Sequence, residues 1–331
     1  MDLLSVIVPC FNEEESISNF YNEIIPIFNQ INEKFDYELI FIDDGSRDNT
    51  FNLIKSLSNK DENIKYISFS RNFGKEAAIY AGLENSKGDY VVLMDVDLQD
   101  PPSLLPKMLD IIKTGEYDIV ATRRVSRKGE PVIRSFFARL FYKIMNIFTN
   151  LNLVDGARDY RLMTRIVVDS ILQVTEYNRF SKGIFGWIGF ETKWVEYENI
   201  ERLNGESNWS FWSLFKYSIE GIVGFTTAPL SFSIFFGILI SILALISLLY
   251  VFIQTLYIGN PVQGWASTVC IILFLGGIQL FSIGILGKYL EKVYLETKHR
   301  PIYLIKDNNI LFIIFYFIYN SSLLSYFYYI L

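Results

Sequence analysis

Residues 90–102 read Tyr-Val-Val-Leu-Met-Asp-Val-Asp-Leu-Gln-Asp-Pro-Pro. The apolar run predicts a strand buried on both faces, and the two prolines predict the start of a helix. Asp95 and Asp97 leave this strand at positions i and i+2, where both carboxylates can reach one hard divalent cation such as Mg²⁺ or Mn²⁺. The alternative is a plain strand end with turn-forming aspartates. Gln99 and the proline pair favour the metal site.

The rest of the first 125 residues repeats this alternation of short apolar runs and amphipathic stretches. Strands are predicted at 3–8, 37–42, 64–69, 90–94 and 118–121. Helices are predicted at about 14–32, 48–59, 75–85 and 103–114. This order predicts a doubly wound α/β domain with a parallel sheet, in which ligands bind beyond the carboxyl ends of the strands.

Two further polar motifs follow predicted strands. Residues 41–46 read Phe-Ile-Asp-Asp-Gly-Ser, which is either a simple turn or a site where Asp43 or Asp44 accepts from a nucleobase imide or a ribose hydroxyl. Residues 8–14 read Val-Pro-Cys-Phe-Asn-Glu-Glu. Their acidic end is either a favourable helix start or a wall for the base and ribose.

Charge and composition exclude several classes of protein. The chain has 331 residues with 36 acidic and 30 basic side chains, and its sequence pI of about 5.1 argues against a nucleic-acid partner. His299 is the only histidine, which excludes Ser–His–Asp chemistry and histidine-rich zinc sites. Two cysteines, Cys10 and Cys270, provide no disulfide framework and indicate a reducing compartment.

The C-terminal third is apolar. No Asp, Glu, Lys or Arg lies between Glu220 and Lys288, and two segments there are long enough to span a bilayer. The basic residues of the head precede the first segment, and those of the C-terminal part follow the second, so two crossings leave both groups on one side of the membrane. The positive-inside rule therefore predicts a multi-pass cell-membrane protein whose head and tail are cytoplasmic. The predicted order is a head domain (1–208), a juxtamembrane amphipathic helix (209–228), transmembrane helices (229–256 and 265–287), a cytoplasmic basic segment (288–309) and an apolar tail (310–331).

Two of these stretches have more than one interpretation. Residues 131–152 combine Arg and Lys with large aromatics, which fits either a core-packing helix or a helix on the membrane surface. The tail at 310–331 is a third span, an interfacial segment or a C-terminus without function.

In this order the motifs resemble the family-two glycosyltransferases of GT-A fold, and more closely their polyprenyl-phosphate glycosyltransferase branch. That branch includes dolichol-phosphate mannose synthase and the bactoprenol glucosyltransferases. The resemblance covers about residues 3–306. Besides the three motifs above it rests on 71–76 (Arg-Asn-Phe-Gly-Lys-Glu), 159–163 (Asp-Tyr-Arg-Leu-Met), 179–190 (Arg-Phe-Ser-Lys-Gly-Ile-Phe-Gly-Trp-Ile-Gly-Phe) and 202–209 (Arg-Leu-Asn-Gly-Glu-Ser-Asn-Trp).

The resemblance implies a role for each matched position. Asp95, Asp97 and Gln99 would hold Mg²⁺ or Mn²⁺ on the donor diphosphate. The nucleoside would contact Pro9, Glu13 and Asp44. The phosphates of donor or lipid would be bound by Arg123, Arg134 and Arg202. Asp159 matches the proposed catalytic base, and its alternative is a residue that orients Arg158 or Arg161 by ion pairing.

One position departs from the family pattern. Asn208 stands where the family usually has lysine, and a neutral amide cannot supply an ammonium charge. Lys182 or Arg179 is the expected substitute. Arg134 lies on the amphipathic stretch, where snorkelling or lipid headgroups explain an arginine as well as catalysis does.

The resemblance implies an inverting enzyme that moves one sugar, glucose from UDP-glucose by default, onto polyprenyl phosphate at the cytoplasmic membrane face. Its partners would be the nucleotide sugar, the lipid phosphate, the bilayer and a second copy of the chain. Two alternatives stay open. One is a processive polysaccharide synthase, although no Gln-x-x-Arg-Trp motif occurs. The other is a non-catalytic membrane scaffold, against which the intact Asp95, Asp97 and Gln99 argue.

Overall fold

The computed structural model describes residues 1–125, 153–198, 221–258 and 264–310, together with 139, 142–143, 145–149, 151 and 219. The chain forms two compact units. The first comprises Met1–Asn146, Asn150–Ser210 and Pro301–Leu331, and the second Ile147–Thr149 and Phe211–Arg300. Most of the amphipathic stretches predicted at 131–152 and 209–228, and all but the first residue of the tail, lie outside the described residues.

In the described part of the first unit, eight strands form one sheet: β1 (Asp2–Cys10), β2 (Phe35–Asp43), β3 (Ile64–Phe69), β4 (Tyr90–Leu93), β5 (Ile119–Arg124), β6 (Ala157–Thr164), β7 (Thr192–Tyr197) and β8 (Ile305–Asn308). Their order in space is β7-β5-β6-β4-β1-β2-β3-β8. The neighbours β4, β1, β2 and β3 run parallel, as predicted. Strand β5 has the same direction as β4, since both are antiparallel to β6, so the five predicted strands are parallel to one another. The sheet as a whole is mixed, because β6 and β8, which the sequence analysis does not predict, are antiparallel to their neighbours.

Among the residues that the structure describes, six helices accompany the sheet: α1 (Glu14–Ile31), α2 (Thr50–Ser58), α3 (Lys75–Asn85), α4 (Leu105–Ile112), α5 (Arg165–Gln173) and α6 (Ser181–Trp187). The first four fall where the sequence predicts them. In α1 the residues at helical spacing are buried, from Ile17 and Phe20 to Ile31, which is the apolar face expected of a helix packed on a sheet. A 3₁₀ turn, Pro102–Leu104, leads into α4 as the proline pair predicts.

The register of the parallel strands determines where the polar motifs lie. Cys10 at the end of β1 pairs with Asp43 at the end of β2, and Ile7 pairs with Leu93 at the end of β4. The three motifs therefore emerge at one edge of the sheet. This is the edge at which α/β sheets bind ligands.

Strand β8 extends the sheet with residues that follow the second unit in sequence. It pairs with β3, and Lys55 Nζ lies 2.8 Å from Asp307 Oδ2. Tyr303 stacks on Phe69 at a centroid distance of 4.9 Å and donates from its hydroxyl to Glu84 Oε2 at 2.6 Å. Residues 305–308, expected within a basic segment, are thus an edge strand of the head.

The second unit contains two long helices, α7 (Ala228–Ile258) and α8 (Trp265–Thr297). Within the described residues, one stretch is long and apolar enough to cross a membrane: Ala228–Ser247, 20 residues with a mean hydropathy of 2.5. The second predicted span falls inside α8, whose described residues do not meet the same requirements of length and hydropathy. Both helices nonetheless carry exposed apolar side chains, such as Phe235 and Leu243 in α7 and Phe274 and Leu280 in α8.

Candidate active site

Lys75 is at the centre of the charged groups at this edge. Its ammonium nitrogen lies 2.7 Å from Asp95 Oδ1, just after β4, and 2.7 Å from Asp159 Oδ2 in β6. Burial lowers the pKa of this ammonium, but Asp159 and Asp95 outweigh that effect and raise it overall, so Lys75 is a cation. The structure therefore brings two predicted site carboxylates together through a lysine that the sequence analysis quoted but assigned no role.

A signal for Lys75 was present in the sequence. It is the first residue of α3, where the positive end of the helix dipole disfavours a cation. A lysine at the predicted start of a helix therefore needs a reason beyond the stability of that helix.

Asp159 is surrounded by positive charge. Burial raises the pKa of its carboxyl, but Lys75, Lys182 and Arg161 outweigh burial and hold that pKa well below its ordinary value. Arg161 is itself buried, with its guanidinium 3.6 Å from the centre of the Phe185 ring, and burial lowers its pKa to about 10. Asp159 is therefore an ionised carboxylate and a weak proton acceptor.

The turn that carries Asp97 and Gln99 is held in place by hydrogen bonds from neighbouring side chains. Arg158 donates from Nε to Asp100 Oδ1 at 2.8 Å and from Nη2 to Gln99 Oε1 at 3.2 Å. The Tyr197 hydroxyl also donates to Asp100, which is 3% exposed. The turn also contains Leu98 at φ +56°, a left-handed conformation that is unusual for a non-glycine residue and accumulates at functional sites.

These residues fit a divalent metal in a particular way. Asp95 and Asp97 are partly exposed oxygen donors two positions apart in the sequence, and Mg²⁺ is commonly held by one or two carboxylates plus substrate phosphates. The described residues contain no cluster of three or more His, Cys, Asp or Glu that could hold a metal alone. The donor set thus fits a metal completed by a substrate. Gln99, the third predicted ligand, has its amide oxygen engaged by Arg158.

Asp43 and Asp44, predicted at the nucleoside, both accept hydrogen bonds from the protein. Asp43 accepts from the Ser68 hydroxyl at 2.7 Å and from the Ser46 amide at 3.0 Å. Asp44 accepts from the amides of Phe73 at 2.6 Å and Gly74 at 2.9 Å. Burial raises the pKa of Asp44 to about 6, against the opposing effect of these amides. The two carboxylates therefore fix the loops around the edge.

The other predicted contacts are placed as follows. Pro9 lies in β1, and Glu13 Oε2 accepts from the Ser16 hydroxyl at 2.7 Å at the start of α1. Arg123 in β5 forms an ion pair with Glu196, with 2.9 Å between Nη2 and Oε1. Arg134 and Arg202 lie outside the described residues.

Arg179 and Lys182, the expected substitutes for the missing lysine, have different surroundings. Arg179 donates to the carbonyl oxygen of Val174, and its guanidinium lies 4.6 Å from the centre of the Tyr80 ring, so it supports the fold. Lys182 contributes charge at Asp159. Its neighbour Ser181 donates from both amide and hydroxyl to Glu76, the residue after Lys75, and this connects α6 to α3.

Comparison with known proteins gives a consistent result. The family model of Glycosyl transferase family 2 matches residues 5–172. The chain is 44% identical over 308 residues to CsbB of Bacillus subtilis, named as a glycosyltransferase, covering 93% of this chain and 92% of that one. It is 40% identical over 304 residues to the bactoprenol glucosyl transferase of Shigella phage SfV, covering 92% and 98%.

One solved structure in the comparison is glucosyl-3-phosphoglycerate synthase from Mycobacterium tuberculosis with Mn²⁺ and UDP-glucose. It is 20% identical, covers 67% of this chain and 77% of that one, and has a TM-score of 0.45. The family match, in contrast, runs from β1 to α5 and includes Lys75, Asp95, Asp97 and Asp159. With this match and the extent of the curated relatives, the mixed α/β head is of the GT-A type that the motifs predicted, and the chain belongs to glycosyl transferase family 2.

Proposed function

We propose that this protein transfers one glucose from UDP-glucose to undecaprenyl phosphate at the cytoplasmic face of the cell membrane, for glycosylation of a cell-surface polysaccharide. The observation that carries the proposal is the pairing of two sets of groups at one sheet edge. Asp95 and Asp97 form an acidic pair suited to a metal and diphosphate, and cations gather around Asp159 beside it. The name of the SfV relative supports both the sugar and the lipid acceptor.

At the donor side, Asp95 and Asp97 would hold Mg²⁺ or Mn²⁺ against the diphosphate. The bound metal would neutralise the charge that develops on the departing nucleoside diphosphate. Asp100 and Arg158 keep the turn of Asp97 in place, and the loops fixed by Asp43 and Asp44 form the wall for the nucleoside, with Pro9 and Glu13.

At the acceptor side, the substrate is a phosphate monoester whose second pKa is about 6, so it is mostly a dianion at neutral pH. It therefore needs charge and orientation more than removal of a proton. Lys182 is the proposed substitute for the lysine absent at 208, because Arg179 is engaged in the fold. Arg134 and Arg202 are the other proposed phosphate ligands, and Arg123 is assigned to the donor.

The proposed reaction is a single displacement. A phosphate oxygen of the acceptor forms a bond to the anomeric carbon of the sugar as the bond from that carbon to the donor diphosphate breaks. The configuration inverts, and the products are the glycosylated lipid phosphate and UDP. Asp97, Asp159 and Arg202 are the proposed catalytic residues.

The sheet supports two membrane crossings. Residues of β1 and β8 belong to the same sheet, so they lie on the same side of any membrane. The chain between them must therefore cross an even number of times. With Ala228–Ser247 as one span, we assign the return crossing to α8, and the exposed apolar side chains of α8 support this assignment.

The test is sugar transfer by the purified full-length protein with undecaprenyl phosphate and a panel of radiolabelled nucleotide sugars, with and without Mn²⁺. We expect labelled lipid from UDP-glucose, and loss of most product in EDTA and in Asp95→Asn and Asp97→Asn. Asp36→Asn, an exposed aspartate in β2, is the matched control and should retain activity. Absence of labelled lipid from every donor would refute the proposal, and full activity in EDTA would refute the metal.

A further inference from the structure

The position of Lys75 suggests a function beyond a structural ion pair. Its nitrogen is equidistant, at 2.7 Å, from one oxygen of Asp95 and one of Asp159. Asp95 follows β4 and Asp159 lies in β6, 64 positions later in the sequence. Without a cation between them, two like charges so close would repel each other.

The bridge occupies a carboxylate that the donor complex requires. Asp95 is one of the two proposed metal ligands, and its Oδ1 is bound by Lys75 in this structure. Asp159 is not a proposed metal ligand and also feels the charges of Lys182 and Arg161. The two carboxylates are therefore not equivalent. Asp95 is a proposed ligand of the divalent metal, whereas Asp159 keeps the same charged neighbours.

We propose that Lys75 is a resident counter-cation of the donor site, which holds Asp95 in place before the donor arrives and competes with the divalent metal for it. On arrival of the metal and diphosphate, Lys75 gives up Asp95 and stays on Asp159. No covalent bond changes in this exchange. The inference rests on the proposed metal site, but it concerns the protein before any sugar is transferred.

The side chain of Lys75 is suited to this exchange. The side chain as a whole is 42% exposed, so its stem can shift without displacing residues of the core. Lysine carries its charge on a flexible stem, which permits such a change of partner more readily than a rigid guanidinium does.

The experiment measures Mn²⁺ binding to the full-length protein in detergent, with UDP to supply the diphosphate that completes the site and without acceptor. The readout is the electron paramagnetic resonance signal of free Mn²⁺, corrected for the Mn²⁺ that UDP binds in the absence of protein. Because an ion pair of this exposure is worth up to about 1 kcal/mol, we expect Lys75→Met to bind Mn²⁺ about two- to fivefold more tightly than the wild type. Lys75→Arg keeps a cation in competition, so its affinity should stay within about twofold of wild type. Lys75→Gln provides a second neutral variant if the first does not fold.

Lys182→Met is the matched control. It removes a charge that acts on Asp159, whereas the ion pair of Asp95 is with Lys75. Its Mn²⁺ affinity should match the wild type. Equal affinity in wild type and both neutral variants, including no binding by any of them, overturns the proposal. So does equal tightening in Lys182→Met, which would reflect net charge rather than the bridge. Sugar transfer does not enter this measurement, so failure here is distinct from failure of the proposed function.

Discussion

The charges around Asp159 are informative about its role in catalysis. Lys75, Lys182 and Arg161 lower the pKa of this carboxyl, so it stays ionised across the whole range from pH 6 to 8. A carboxylate of such low basicity is poorly matched to removing a proton near neutral pH. Its pairing with Lys75 favours a role in positioning charge over a role as general base.

We therefore predict that Asp159→Asn lowers sugar transfer by less than about 10²-fold, the low end for loss of a general base, and by the same factor at pH 6 and pH 8. The measurement is the pH–rate profile of both proteins, with folding checked by circular dichroism. If Asp159 were the base, the loss would instead be concentrated at pH 6, where more of the acceptor phosphate still carries a proton.

The charged residues of the site also show how much of it could be predicted from the sequence. The carboxylates at 95, 97 and 159 could be identified because they stand in recognisable motifs. The role of Lys75 could not, because its partner Asp159 follows 84 positions later and reaches it only through the antiparallel placement of β6. Asp43 and Asp44 were recognised as special, but not as acceptors for the loops around them.

At the scale of elements, the turn after β4 depends on a buried hydrogen-bond network. Asp100 is buried, burial raises the pKa of its carboxyl, and Arg158 and Tyr197 act in the opposite direction by bonding to it. Removing one donor leaves a buried carboxylate underbonded, which costs about 1–3 kcal/mol.

We predict that Tyr197→Phe lowers the free energy of unfolding of the head by about 1–3 kcal/mol and lowers activity as the turn of Asp97 loosens. Denaturant unfolding followed by tryptophan fluorescence measures the first effect. Tyr37→Phe is the control, because the Tyr37 hydroxyl bonds the Asp61 carboxylate at 3.2 Å at a partly exposed site and its ring keeps its stack on Phe28. An equal loss in both variants would contradict a special role for the network.

The elements themselves were predictable to different degrees. Strands β1 to β5 each contain a short apolar run, and each overlaps a predicted strand. Strand β8 reads Ile-Lys-Asp-Asn, which carries no strand pattern, and it exists because the exposed edge of β3 pairs with it. Such an element is determined by long-range pairing and cannot be derived from local sequence.

At the scale of the whole molecule, β1 and β8 belong to one sheet, and this predicts the membrane topology of the chain. Asp2 and Lys306 should be cytoplasmic, and Asn260, between α7 and α8, should face the opposite side. Single cysteines at these three positions, in a background without Cys10 and Cys270, would be labelled with an impermeant reagent in intact cells. We expect labelling at 260 alone, and labelling at 306 without 260 would invert the topology.

The return of the chain to β3 also sets an order of events during synthesis. Lys55 and Asp307 are 252 positions apart, and both long helices of the second unit are made between them. The head can bury its core early, but its sheet stays one strand short until the ribosome has passed residue 308. Pairings of such high sequence separation form late, because loop closure must precede them. The head is therefore complete only after α7 and α8 have been made. A chain whose synthesis stops before β8 leaves the edge of β3 open to pairing with other chains.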